Sequence, residues 1–168
     1  KNLLRKGLEY FPLKSQLGKH YTALDSYNSN KLGMLEAINA GITTVHNFAH
    51  NVRTPEHSDA ELTAFAECGL RGRFSYGWID EMPTTEIMPA TDAARVQKVW
   101  IGPTSATEGR VTMGMCLRGP MYCGPDVYSA EFKAAKDLDL PVSLHSGQTL
   151  AKTLSAVKLR ADGYLDAN

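Results

Sequence analysis

The sequence predicts an α/β protein built on a parallel sheet, and three observations carry that expectation. Short runs rich in apolar and β-branched residues alternate with helical patterns along the chain. The segments between those runs are long enough for helices, and a parallel crossover needs about a dozen residues or more. The helical stretches are also bounded by recognisable start and stop residues.

Taken in order, Leu32, Leu35 and Ile38 lie three apart, which puts them along one side of a helix that Gly41 ends. Residues 42–48 then read as a strand. Ser58 and Glu61 form a capping-box pattern ahead of Leu62, Phe65 and Ala66, and Gly69 closes that helix. A second strand is expected over 70–78. Thr91 and Asp92 are good N-cap residues for a helix over 91–101, which leads to a third strand over 110–117. Gly124, Pro125 and Asp126 introduce a helix over 127–139, and residues 141–145 form the fourth strand. Residues 150–162 are helical again, with Gly163 as the stop. No repeat, linker or low-complexity stretch divides the chain, so residues 1–168 read as a single domain. An open doubly wound sheet and a (β/α)8 barrel both suit this pattern. A full barrel takes about 250 residues, while neither common nucleotide-binding glycine motif follows any of the strands. Pattern alone leaves the choice open.

Composition narrows the function classes. The 18 basic and 18 acidic residues cancel, and no run of like charge stands out. Neither nucleic acid nor an anionic membrane is therefore an expected partner. No apolar stretch approaches the roughly 20 residues of a membrane span, and the basic start lacks an apolar run of signal-peptide length. Cys68, Cys116 and Cys123 have no CxxC spacing and read as reduced thiols, so a cytoplasmic protein is expected. The chain opens on Lys1 rather than methionine, which suggests a processed product or a segment of one.

His145 ends the fourth strand, on the side of a parallel sheet where ligands bind. Two readings stand: a metal ligand at the rim, or a histidine hydrogen-bonded to a neighbouring carbonyl. His46 and His50 are four apart, but on a strand leading into a loop rather than on a helix. They are expected to line a pocket, with Asn51, instead of sharing a metal. His20 and His57 are expected at the surface, and Asp80 and Glu81 as a solvated loop pair. No base is evident beside Cys116 or Cys123, so both read as packing residues. Arg118 is a candidate anion or substrate contact by position.

Several separated segments resemble the metal-dependent amidohydrolase superfamily, closest to the branch of cytosine deaminase-like enzymes and triazine hydrolases. They are EAINAGITTV at 36–45, HNVRTPEHSD at 50–59, GLRGRF at 69–74, RGPMYCGPDV at 118–127 and LPVSLHSGQ at 140–148. The resemblance implies a (β/α)8 barrel, a TIM barrel, of which this chain covers strands two to five. It implies one divalent metal, zinc or iron, whose bound water becomes a hydroxide near neutral pH. The family's ligands are an HxH pair on strand one, a histidine on strand five and an aspartate on strand eight, with a further histidine on strand six. Of these only the strand-five histidine can be carried over, and it is His145. The others would lie before Lys1 or beyond Asn168. Many relatives carry a glutamate three residues after that histidine, where Gln148 stands here. An amide cannot take up and release a proton near pH 7, so Gln148 is expected to orient substrate or water.

The resemblance thus implies a metal-dependent hydrolase. It would act on non-peptide carbon–nitrogen bonds of a cyclic amidine, amide or aminated heterocycle, with a small molecule as its partner and a homo-oligomer as its expected assembly. The alternative is a catalytically incompetent barrel fragment or a metal-free relative with a structural role. One imidazole cannot hold a catalytic zinc, which takes three protein ligands and a water.

Overall fold

A computed structural model describes residues 9–146 and 149–165. The elements run α1 (Tyr10–Gly18), α2 (Ala23–Asn39), β1 (Thr44–Ala49), α3 (Pro55–Cys68), β2 (Arg71–Gly77), α4 (Ala90–Trp100), β3 (Val111–Cys116), α5 (Pro125–Asp137), β4 (Val142–Ser143) and α6 (Leu150–Ala161). The four strands pair in parallel in the order β1-β2-β3-β4. No helix among the described residues is long and apolar enough to cross a membrane.

Strand register sorts the side chains onto two faces. Val45, Phe74, Tyr76, Val111, Met113 and Met115 join Leu62, Phe65, Ala93 and Val96 in the core under the helices. The opposite face carries His46, Phe48, Ser75 and Cys116. In a flat sheet, three strand spacings would separate β1 from β4 by roughly 14 Å. Yet the Phe48 and His145 rings stack at 5.0 Å between centroids, and the His50 and His145 rings at 5.3 Å. The sheet is therefore curled with its helices outside, as part of a (β/α) barrel rather than an open doubly wound sheet.

Helix starts depart most from expectation. α2 begins at Ala23, because Thr22 and Asp25 form a reciprocal capping box, Asp25 N–H donating to Thr22 Oγ1 at 3.2 Å. Within it Leu32, Leu35 and Ile38 are exposed, and Met34 faces the core instead. α3 begins at Pro55, whose fixed φ suits the first helical position. The Ser58–Glu61 pattern is consequently not a cap: Ser58 Oγ donates back to the Pro55 carbonyl at 2.8 Å, and Glu61 accepts from Asn47 Nδ2 at 2.6 Å. Thr91 and Asp92 likewise fall inside the first turn of α4, where Asp92 accepts from the Tyr76 hydroxyl at 2.9 Å and Arg95 Nε at 2.6 Å.

Two surface expectations are corrected. His57 is buried, with Nε2–H donating to the Tyr21 carbonyl at 3.1 Å and Thr54 Oγ1 donating to Nδ1 at 3.0 Å. Asp80 is exposed as expected and Glu81 is half-buried, but each is held in an ion pair rather than free in solvent. Asp80 takes Lys14 Nζ at 3.1 Å, and Glu81 takes Arg53 Nη2 at 2.7 Å. These contacts tie the loop after β2 to α1 and to the loop after β1.

Candidate functional site

The carboxyl ends of the strands open into a cavity of about 600 Å³, walled by Phe48, Trp78 and Tyr122 and edged by Lys14, Asp80 and Lys152. Each strand contributes at the same level. His50 follows β1 directly, Gly77 ends β2, Cys116 ends β3, and His145 stands just past β4. Gly77 is needed as a glycine: a Cβ there would sit 2.9 Å from the Ala49 carbonyl oxygen and 3.1 Å from His50 Nδ1. Its absence leaves the space the imidazole occupies.

His50 is held by its own strand neighbourhood. Its Nδ1–H donates to the Trp78 carbonyl at 3.3 Å, and its ring meets the Trp78 ring edge-on at 4.4 Å. With Nδ1 protonated, Nε2 presents a lone pair to the cavity. His145 Nε2 lies 3.1 Å from that atom and Cys116 Sγ lies 3.8 Å from it. Among the described residues, His50, Cys116 and His145 bring their ligand atoms within 4.8 Å of one another. Cys116 therefore does have a base beside it, contrary to expectation. That signal was accessible in principle, since alternate residues of parallel strands share a face and level.

Electrostatics keep all three groups neutral near pH 7. Burial, then the Lys14 charge, pushes His50 down to about 4. Burial lowers His145 as well, with Lys152 and Lys14 adding to it. Burial pushes the Cys116 thiol up to about 12. Neutral imidazoles are the form that binds metal, and a thiol becomes a ligand by losing its proton to the incoming ion. The donor set of two imidazoles and one sulfur thus suits a borderline-soft divalent ion such as zinc.

The remaining candidates separate. His46 lies four residues before His50 with Phe48 between them, and its Nε2 shares a 2.7 Å hydrogen bond with Ser75 Oγ, away from the cavity wall. Asn51 Oδ1 accepts from Arg53 Nε at 2.9 Å, behind the rim. Arg118 is buried, donating to Glu131 at 2.5 Å and to the carbonyls of Pro83, at 2.9 Å, and Glu86. Its guanidinium anchors the loop before α4 to α5. Gln148 lies outside the described residues. Sequence reasoning missed Trp78 and Tyr122, which lie on loops after β2 and β3, and Lys152, in the first turn of α6.

Residues 4–164 match the family described as the amidohydrolase family. Three curated relatives carry the name 5-methylthioadenosine/S-adenosylhomocysteine deaminase. The protein from Moorella thermoacetica is 28% identical over 154 residues, covering 88% of this chain and 34% of its own length. That from Carboxydothermus hydrogenoformans is 25% identical over 150 residues, covering 89% of this chain and 31% of its own. The Symbiobacterium thermophilum protein is 28% identical over 129 residues, 76% of this chain and 28% of its own. This chain therefore spans at most 34% of the length of the relatives it matches.

Proposed function

Because the chain belongs to the amidohydrolase family, we propose that it carries strands of the catalytic barrel of a metal-dependent hydrolase that breaks carbon–nitrogen bonds outside peptides. The observation that carries this reading is His145, at the carboxyl end of the last strand and facing a second imidazole across an aromatic-walled cavity. The deaminase names of three relatives support an aminated heterocycle as substrate class. Placement beside the cytosine deaminase-like and triazine hydrolase enzymes is part of the same proposal.

A bound divalent metal would supply a water acidified to near pH 7, ready to attack an electron-poor ring carbon. The residues of this chain do the rest. His145 would help hold the ion, and partial burial disfavours the protonated form that could not bind it. Phe48, Trp78 and Tyr122 offer flat apolar faces to a ring and exclude bulk water from it. Lys14 and Asp80 pair at the rim, so the Asp80 carboxylate offsets part of the positive charge there. Gln148 has the donor and the acceptor needed to orient substrate or water, without serving as the acid.

The test is metal content together with ammonia release, measured on the protein in its natural length. With 5-methylthioadenosine and simple aminated pyrimidines as probes, one bound ion and substrate-dependent ammonia are expected. His145→Ala should release the ion and lower kcat/KM by more than roughly 100-fold, beyond the usual effect of a residue that only supports a ligand. Ammonia release undiminished in that variant would overturn the assignment of His145. Metal-free protein without turnover would instead favour the incompetent relative.

A further inference from the structure

We propose that the strand-end cavity selects ring substrates bearing an anionic oxygen group, a carboxylate or a phosphate, and that Lys152 recognises that group. The inference rests on the hydrolase reading of this site and adds a charge to its substrate class.

Among the described residues, three charged side chains line the cavity: Lys14, Asp80 and Lys152. Lys14 and Asp80 meet at 3.1 Å, so their charges offset each other. The His50 and His145 imidazoles are neutral near pH 7. The wall therefore carries one net positive charge, set among the apolar faces of Phe48, Trp78 and Tyr122. Such walls screen a charge poorly, which strengthens its pull on an incoming anion.

Lys152 stands where a cation is costly. It is only 8% exposed, so its ammonium gives up hydration. It also lies in the first turn of α6, and the positive end of a helix dipole disfavours a lysine there. A bound anion offsets both costs.

The lysine is also held in place. Thr149 Oγ1 accepts from its backbone N–H at 3.3 Å, and Ser146 Oγ donates to its carbonyl at 3.4 Å. Both partners come from the segment between β4 and α6, which also presents His145. The Lys152 charge reaches His145 and helps to keep that imidazole neutral. The anionic group thus belongs on the His145 side of the cavity, with the ring stacked on the aromatic wall. Neutral aminated rings lack that contact and bind more weakly.

Quenching of Trp78 fluorescence tests this on the natural-length protein, treated with chelator so that no metal attracts the anion. Trp78→Phe separates that signal from Trp100. Adenosine is compared with adenosine-5′-carboxylate and adenosine 5′-monophosphate, and cytosine with cytosine-5-carboxylate. At low salt an acid should bind about 10-fold tighter than its neutral parent, the scale of one hydrogen bond to a charged group, and salt should shrink the ratio. The tighter of the two adenosine acids tells carboxylate from phosphate. Lys152→Met should abolish the preference, Lys152→Arg should retain it, and Asp80→Asn should widen it. Shifts of opposite sign cannot come from general damage to the cavity, and circular dichroism verifies that each variant folds. Equal affinity for acids and neutral parents, no binding of any acid, or a preference that survives Lys152→Met would overturn the proposal. Ammonia release in that case would leave the hydrolase reading standing. A Lys152-dependent preference without ammonia from any of these rings would support the anion site and count against the hydrolase reading alone.

Discussion

Glu61 shows how one buried group away from the strand-end cavity sets a pH dependence of stability. It is packed between α3 and β1, where Asn47 Nδ2 donates to it at 2.6 Å. Burial outweighs that hydrogen bond and pushes its carboxyl from 4.5 up to about 7. An acid whose folded value is raised holds a proton in the folded state that the unfolded chain has already lost. Stability therefore falls as pH rises from about 4.5 to about 7, by up to about 3 kcal/mol at ~1.4 kcal/mol per unit. Glu61→Gln cannot ionise, so its stability relative to wild type should climb across that window and level off above it. Urea denaturation at several pH values reads this directly, and a pH-independent difference would refute the account. At this scale the sequence was a partial guide. It placed His145 and His50 at the strand ends correctly, but took Glu61 for a cap and His57 for a surface residue. Both errors share a cause: burial of a polar side chain depends on which helix covers it, and local pattern does not encode that.

Among the elements, β4 is the weakest and the one the site depends on most. Only Val142 and Ser143 are registered against β3, with Met115 N–H donating to the Pro141 carbonyl at 2.9 Å. That approach requires Gly114, where a Cβ would lie 2.9 Å from the Pro141 oxygen and 3.2 Å from Ser75 Oγ. Gly114→Ala should push β4 off β3, with an overpacking cost of about 1–3 kcal/mol. Because His145 follows β4 by two residues, the same change should weaken metal binding more than Thr112→Ala, which lies on the same face further from the rim. Calorimetric cobalt titration of the two variants compares them, and equal affinities would mean that β4 does not position the histidine. The strands themselves were legible, because β-branched runs between helix-length segments fix both their places and their parallel sense. Helix α1 was not, since it lies outside every apolar period that was read. It is held by contacts far along the chain, such as Lys14 to Asp80. Curvature was not legible from pattern either. It came from the family resemblance, and in the structure it is visible because β1 and β4 side chains touch.

Over the whole molecule, the curled sheet has two strand edges without a partner among the described residues, one on β1 and one on β4. The helices next to them in the chain, α2 before β1 and α6 after β4, each carry an exposed apolar stripe. On α2, Leu32 is 61% exposed, with Leu35 and Ile38 along the same side. On α6, Leu150 is 76% exposed, with Leu154 and Val157 following at helical spacing. Isolated apolar side chains at a surface need no explanation, but two such stripes together with two open edges do. At about 25 cal/mol per Å², covering such stripes is favourable by several kcal/mol, and open parallel edges add hydrogen-bonding groups that favour pairing. Produced as these 168 residues alone, the chain should therefore self-associate at micromolar concentration. Replacing Leu35 and Ile38 with glutamate should weaken that association, and replacing Leu154 and Val157 in addition should weaken it further. Like charges on both stripes would then repel at any contact between copies. Sedimentation velocity measures the outcome across a concentration series. A monomer throughout, with no binding of an apolar dye, would show that the stripes are tolerated in water. Association unaffected by the four replacements would place the contact elsewhere on the surface.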